Sequence, residues 1–210
     1  MPRSKKQYQN MVAERRDCII KSALRVFALK GYNATGMDDI SNEAKCSRTL
    51  IYHYYPTKEE LFRNLMKYVA NRIYAITESV DYNQTPDKSL AELLTKVLEK
   101  VNDNSLNCEY ACMFYLILNL HLQGENIPKP KIKKIDAPIG RQRLYIIINH
   151  LIESGQKLKI FSEGETKKFT IAILAMLNGL AYNKIFLKEK YTYPDVSMIM
   201  KIILKEAQLC

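Results

Sequence analysis

Arg48, Thr49, Tyr52 and His53 place a guanidinium, a hydroxyl with a methyl group, a phenol and an imidazole within one short segment. At about 100° per residue these four side chains share one arc of a helix, while Leu50, Ile51, Tyr54 and Tyr55 share the opposite arc. The first arc carries groups that reach phosphates or base edges in a major groove, and the second is apolar enough to pack. A merely solvated helix face has the same composition, so the elements around the segment have to decide between the two.

Those elements are well marked. Ser47 stands where its hydroxyl accepts an N–H from the first turn of a helix over Arg48 to about Tyr54, and Pro56 pushes Tyr55 out of helical geometry. Upstream, Thr35 and Asp38 have the spacing of a capping box, Met37, Ile40 and Ala44 recur at helical spacing, and Lys45 with Cys46 makes a turn. Downstream, Thr57 and Glu60 form a second capping box that opens a long helix. The free N–H groups at that start, with Lys58 beside them, suit a DNA phosphate. Residues 31–62 therefore read as two short helices, a tight turn and a third helix start, the grammar of a helix-turn-helix.

These residues resemble the TetR family of bacterial transcriptional regulators. The resemblance rests on Phe27, Gly31-Tyr32, Thr35, Asp39-Ile40, Ser47, Tyr52, Tyr55 and Thr57-Lys58-Glu59, in that order, and covers roughly residues 15 to 65. At Arg48, Thr49 and Gly36 the chain departs from the residues the family commonly carries. The resemblance implies an all-α protein: an N-terminal three-helix helix-turn-helix DNA-binding domain, residues 1–56, joined by a long helix to a C-terminal helical ligand-binding and dimerisation domain, residues 57–210. It also implies a homodimer on double-stranded operator DNA and repression relieved by a small-molecule effector. The expected DNA contacts are Thr35, Ser47, Arg48, Thr49, Tyr52, His53, Tyr54, Thr57 and Lys58.

The apolar pattern supplies the remaining elements. Helix 1 is expected from about Val12 to Lys30, with Ile19, Ile20, Ala23, Leu24 and Phe27 as its stripe and Gly31 as its stop; residues 1 to 12 read as a basic arm or a frayed helix start. Further helices are expected from Thr57 to about Val80, capped by Asp87 to Asn102, over Cys108 to Leu122, Ile139 to Ser154, Glu165 to Lys190, and Pro194 through Leu209. The connection at 124–138 reads as irregular, and 155–164 as a compact linker. The last two helices are expected to form the dimer interface, with Ile199, Met200 and Ile203 along the final stripe.

The chain has 210 residues and a formal net charge of +10, which suits a polyanionic partner. The excess is not confined to the reader, since residues 1 to 60 hold 11 Lys or Arg against 7 Asp or Glu. Five scattered cysteines argue against a secreted disulfide framework, and the N-terminus lacks a signal-peptide core. No apolar run approaches the roughly 18 residues that span a bilayer, so a cytoplasmic protein without membrane contact is expected.

Cys108 and Cys112 lack a third ligand nearby, and no catalytic constellation, metal site or cofactor motif is legible. Two other classes remain open: a ligand-free architectural DNA binder, and a metal-dependent enzyme with a helix-turn-helix accessory domain. For an effector, the buried mixture of Tyr110, Met113, Phe114, Asn119, His121, Asn149, Asn178 and Tyr182 resembles the lining of an apolar pocket with a few orienting groups. Lys129, Lys131, Lys133 and Lys134 with Arg141 and Arg143 favour an anionic or acyl-type molecule, or are simply solvated.

Overall fold

The structure, a computed structural model, describes residues 5–104, 108–122 and 140–204. It is all-α: α1 Lys5–Lys30, α2 Met37–Glu43, α3 Arg48–Tyr54, α4 Lys58–Glu78, α5 Pro86–Asn102, α6 Glu109–Leu122, α7 Gly140–Lys157, α8 Thr166–Leu187 and α9 Val196–Met200, with a 3-10 turn at Lys188–Lys190. Among the described residues there is no strand, only an isolated antiparallel bridge between Phe161 and Leu204. The basic loop with Lys129, Lys131, Lys133 and Lys134, and the side chains of His121 and Arg141, lie outside the described residues.

The chain divides into two compact units, with the boundaries inside α4, after Tyr68, and inside α6, before Leu116. In the first unit, α1 begins at Lys5 rather than Val12, so residues 5–12 are helical and not an arm. Its buried stripe of Ile19, Ile20, Ala23, Leu24 and Phe27 is the expected one, and Gly31, at φ 80°, ends it while its N–H donates to the Phe27 carbonyl at 3.0 Å. Phe27, Tyr32 and Phe62 then interlock: Tyr32 lies 4.7 Å from Phe62 and 5.5 Å from Phe27, centroid to centroid. This knot ties the end of α1 to the start of α4. Ile40 and Ile51, both fully buried, bring α2 and α3 into the same core.

The start of α2 differs by one residue from the expected box. Gly36 is the N-cap, and its own N–H donates to Asp39 Oδ2 at 2.9 Å. Thr35 lies one step outside, where its hydroxyl donates to the Gly31 carbonyl at 2.6 Å.

In the second unit α5, α7 and α8 pack on one another. Leu90, Leu93, Leu94 and Val97 meet Ile148, Ile152, Ile173 and Leu177 in a core with essentially no exposure. Thr85, not Asp87, caps α5, because Pro86 takes the first helical position, where a missing N–H costs nothing. Arg143 joins α7 to α4 through hydrogen bonds to Thr77 and Glu78 and a guanidinium 3.9 Å from the Tyr74 ring.

Two expectations about the end of the chain are corrected. The last helix is the short α9, which gives way to turns at residues 201–203, and residues 205–210 lie outside the described residues. The reason is local competition. Ser162 N–H takes the Ile203 carbonyl at 2.7 Å and its hydroxyl the Leu204 carbonyl at 3.1 Å, so these carbonyls serve the 161–162 segment. Ile199, Met200 and Ile203 are consequently buried at 2%, 6% and 1%, inside their own chain rather than along a free stripe. Second, α8 is long and apolar enough to meet the length and composition of a bilayer span, contrary to the reading that no segment is. Thr170, Asn178 and Lys184 on its buried face mark it as a helix packed in protein.

Candidate nucleic-acid interface

The reading helix is fixed at both ends as its sequence demands. Ser47 accepts the Leu50 N–H at 3.2 Å, and Tyr55 leaves helical geometry at φ −139°, ψ 94° ahead of Pro56. The turn before it places Lys45 at φ 50°, a left-handed conformation that reverses the chain between α2 and α3. Ile51 and Tyr55 are buried, Leu50 and Tyr54 half-buried, and Ser47, Arg48, Thr49, Tyr52 and His53 exposed. The two arcs thus separate as the spacing requires. Tyr54 sits between them, its ring under the Arg16 guanidinium at 5.7 Å and 5.3 Å from His53.

Arg48 is held rather than free. Its Nη1 donates to Asp38 Oδ2 at 2.9 Å, its Nη2 to the Tyr52 hydroxyl at 3.2 Å, and its guanidinium carbon lies 5.4 Å from the Tyr52 ring. Asp38 was legible in the sequence only as a helix-start residue. Its second role joins the first turns of α2 and α3 across a reversal, which no local spacing rule signals.

Three expected phosphate ligands are placed differently from one another. Thr57 accepts the Glu60 N–H at 3.1 Å, the predicted cap, and is exposed. Lys58, expected to point to a phosphate, instead gives its ammonium to the carbonyls of Tyr32 at 3.1 Å and Thr35 at 3.0 Å, over the Tyr32 ring. Thr35 is 2% exposed, its hydroxyl spent on Gly31, so its side chain serves the turn. Tyr32 donates to Glu59 at 3.2 Å, and burial together with the Glu59 charge pushes its phenol up to about 12.

The sequence profile described as "Bacterial regulatory proteins, tetR family" matches residues 19–65, the span that contains this geometry. Over those residues this chain is similar to the TetR family. It is similar to YuxN, an HTH-type transcriptional regulator of Bacillus subtilis, at 32% identity over 42% of this chain and 31% of YuxN. It is also similar to IcaR, the biofilm operon icaADBC HTH-type negative transcriptional regulator of Staphylococcus epidermidis, at 40% identity over 23% of this chain and 26% of IcaR. The chain thus matches less than a third of the length of either relative. A solved TetR-family transcriptional regulator from Agrobacterium tumefaciens shares the fold at a TM-score of 0.69 and 16% identity, over 92% of this chain and 99% of that one.

Of the eight residues expected to line an effector pocket, His121 has its side chain outside the described residues, and the other seven are placed as follows. Tyr110, Met113, Phe114 and Asn178 are buried in the second unit, and Asn149 accepts from Thr170 at 3.3 Å. Asn119 belongs to the first unit, where it donates to the Ala28 carbonyl at 3.1 Å. Tyr182 is 45% exposed, its ring tilted against Phe186 at 4.5 Å on the outer face of α8, and is corrected from a pocket residue to a surface one. Glu109, the first residue of α6, is buried and paired with Arg72 at 3.2 Å. A cavity of about 400 Å³ lies elsewhere, lined by Glu99, Lys100, Asn102, Asp103 and Tyr193. Among the described residues no three His, Cys, Asp or Glu side chains converge as a metal site does.

Proposed function

We propose that the protein is a sequence-specific DNA-binding transcriptional regulator, a homodimeric repressor that leaves a partly palindromic operator when a small molecule binds its C-terminal domain. The observation that carries this is the exposed arc of Arg48, Thr49, Tyr52 and His53 on a two-turn helix whose other arc is anchored in the head. Arg48 contacts a base edge, Tyr52, His53 and Tyr54 contact bases or backbone, and Ser47, Thr49 and Thr57 lie where phosphates pass. Lys58 and Thr35 support the turn and the start of α4.

A two-turn helix makes too few contacts for tight specific binding, so two heads act together, with half-sites one or more helical turns apart. The repressor sense is supported by the name of IcaR, a negative regulator. The effector reading is supported by Tyr110, Met113, Phe114 and Asn178, all buried in the second unit. A cytoplasmic location is part of this reading, since the proposed work is done on DNA.

The test is operator selection from a random duplex pool at fixed salt. Wild type is expected to enrich a partly palindromic sequence, and Arg48→Ala and Tyr52→Ala each to weaken it by about tenfold or more, the size of a lost base contact. Unchanged affinity in both variants would sink the assignment. A thermal-shift screen of aromatic and fatty acids and lipophilic cations is then expected to find a compound that both stabilises the protein and releases the duplex. Stabilisation without release would favour the ligand-free architectural reading.

A further inference from the structure

We propose that Asp38 sets the specificity of the reading helix by orienting the Arg48 guanidinium and by opposing its use as a general phosphate clamp. This rests on the DNA-reading function proposed above and adds a residue to which that reading gives no part. Asp38 lies in the first turn of α2 and reaches across the turn to the first residue of α3. Its carboxylate holds Arg48 Nη1 at 2.9 Å, while the Tyr52 hydroxyl holds Nη2 at 3.2 Å and the ring lies beneath the guanidinium. A planar fork gripped at both amino groups and stacked on one face has a fixed plane. Two of its five N–H donors are engaged, and three remain, enough for the pair that a guanine takes with O6 and N7.

The pair does not exist for stability. Arg48 and Asp38 side chains are 56% and 66% exposed, and an ion pair so exposed shifts a folding equilibrium by about fivefold at most. Nor does a carboxylate on a DNA-facing surface add affinity, because it repels phosphate. Its effect is differential. Where the helix meets only phosphates, Asp38 competes for the guanidinium and repels the backbone. Where a guanine stands in register, the remaining donors reach it without displacing the carboxylate. Penalising the wrong contact while sparing the right one raises discrimination at little cost to the operator complex.

The experiment compares duplexes enriched by wild type with a scrambled duplex of the same composition, at one salt concentration. Asp38→Asn keeps the size and an acceptor but removes the charge. It is expected to bind the scrambled duplex about three- to fivefold more tightly with little gain on the enriched one, so that the affinity ratio falls about fivefold. On an Arg48→Ala background the same change is expected to leave the ratio unaltered, which a purely structural role of Asp38 would not produce. Arg48→Lys, which leaves α2 untouched, keeps the charge but loses the fork, and is expected to lower the ratio while binding scrambled DNA as wild type does. A ratio within twofold of wild type in folded Asp38→Asn, an equal fall on the Arg48→Ala background, or an unchanged ratio in Arg48→Lys would overturn the inference alone. Failure of wild type to enrich any sequence would overturn the DNA-reading function, and this inference with it.

Discussion

Two neighbouring aspartates in the first turn of α2 do different work. Asp38 reaches outward to Arg48, whereas Asp39 closes the helix start by accepting the Gly36 N–H at 2.9 Å and the Lys30 ammonium at 2.6 Å. The Lys30 hydrogen bond first, and the Gly36 N–H second, hold the Asp39 carboxyl below its ordinary range. A carboxyl whose value is depressed on folding contributes stability that is fully present above its unfolded value, near 4, and is lost as pH falls through its folded one. Asp39→Ala is therefore expected to melt below wild type at neutral pH, with the difference shrinking below about pH 4 in circular dichroism melts. A difference that persists undiminished at pH 3 would count against the cap. At this scale, residues whose roles are local were legible: Ser47, Thr57 and Tyr55 act where their spacing puts them. Thr35 and Lys58 were not, because each found a backbone carbonyl of the Gly31 to Thr35 turn, and a turn's carbonyl directions are set by tertiary geometry.

The buried face of an element with one clear stripe was legible, although α1 starts seven residues before its expected Val12, and ends that depend on distant partners were not. The stripe of α5 lies on its buried face over its whole length. The final helix has an equally good stripe, yet ends early because Ser162 captures the Ile203 and Leu204 carbonyls. That capture depends on Phe161, fully buried beside Gly155. A Cβ at Gly155 would lie 2.2 and 2.4 Å from ring carbons of Phe161, closer than any real contact. Gly155→Ala must therefore displace the ring, and with it the bridge to Leu204. The expected cost is about 1–3 kcal/mol, the usual range for overpacking, read from urea denaturation followed by circular dichroism. A cost below about 0.5 kcal/mol would show that the 161–162 segment adjusts freely, and the account of why α9 stops would fail with it.

For the molecule as a whole, the open question is how one chain presents two heads, and the exposed surface of α8 supplies the argument. Ile171, Ala175, Gly179, Tyr182 and Phe186 follow one another at intervals of four, four, three and four, so they lie along one face, and all five are exposed. Tyr115 joins this face, its ring 5.7 Å from Tyr182 and 5.6 Å from Phe186. Apolar and small residues aligned on an exposed helix are what a two-fold pair of identical helices needs, since each face meets its own copy. The sequence placed the interface on the last two helices; with Ile199, Met200 and Ile203 turned inward, Met198 and Ile202 stay exposed at the end of the chain, and the longer exposed apolar face among the described residues is that of α8. Gly179 gives a clean probe, because a Cβ there meets nothing within 4 Å of its own chain. Gly179→Glu is then tolerated by an isolated chain, and even favoured by about 0.5–1 kcal/mol of helix propensity, whereas a mated α8 would have to bury a carboxylate. Sedimentation is expected to show a dimer for wild type and a monomer for Gly179→Glu and for Tyr182→Glu/Phe186→Glu, with helical content retained. Operator affinity is expected to fall about 100-fold or more in the same variants, because the second head is no longer tethered to the first. Dimers that survive all of these substitutions would move the interface off α8. Monomers that still bind the operator at full strength would remove the need for two heads.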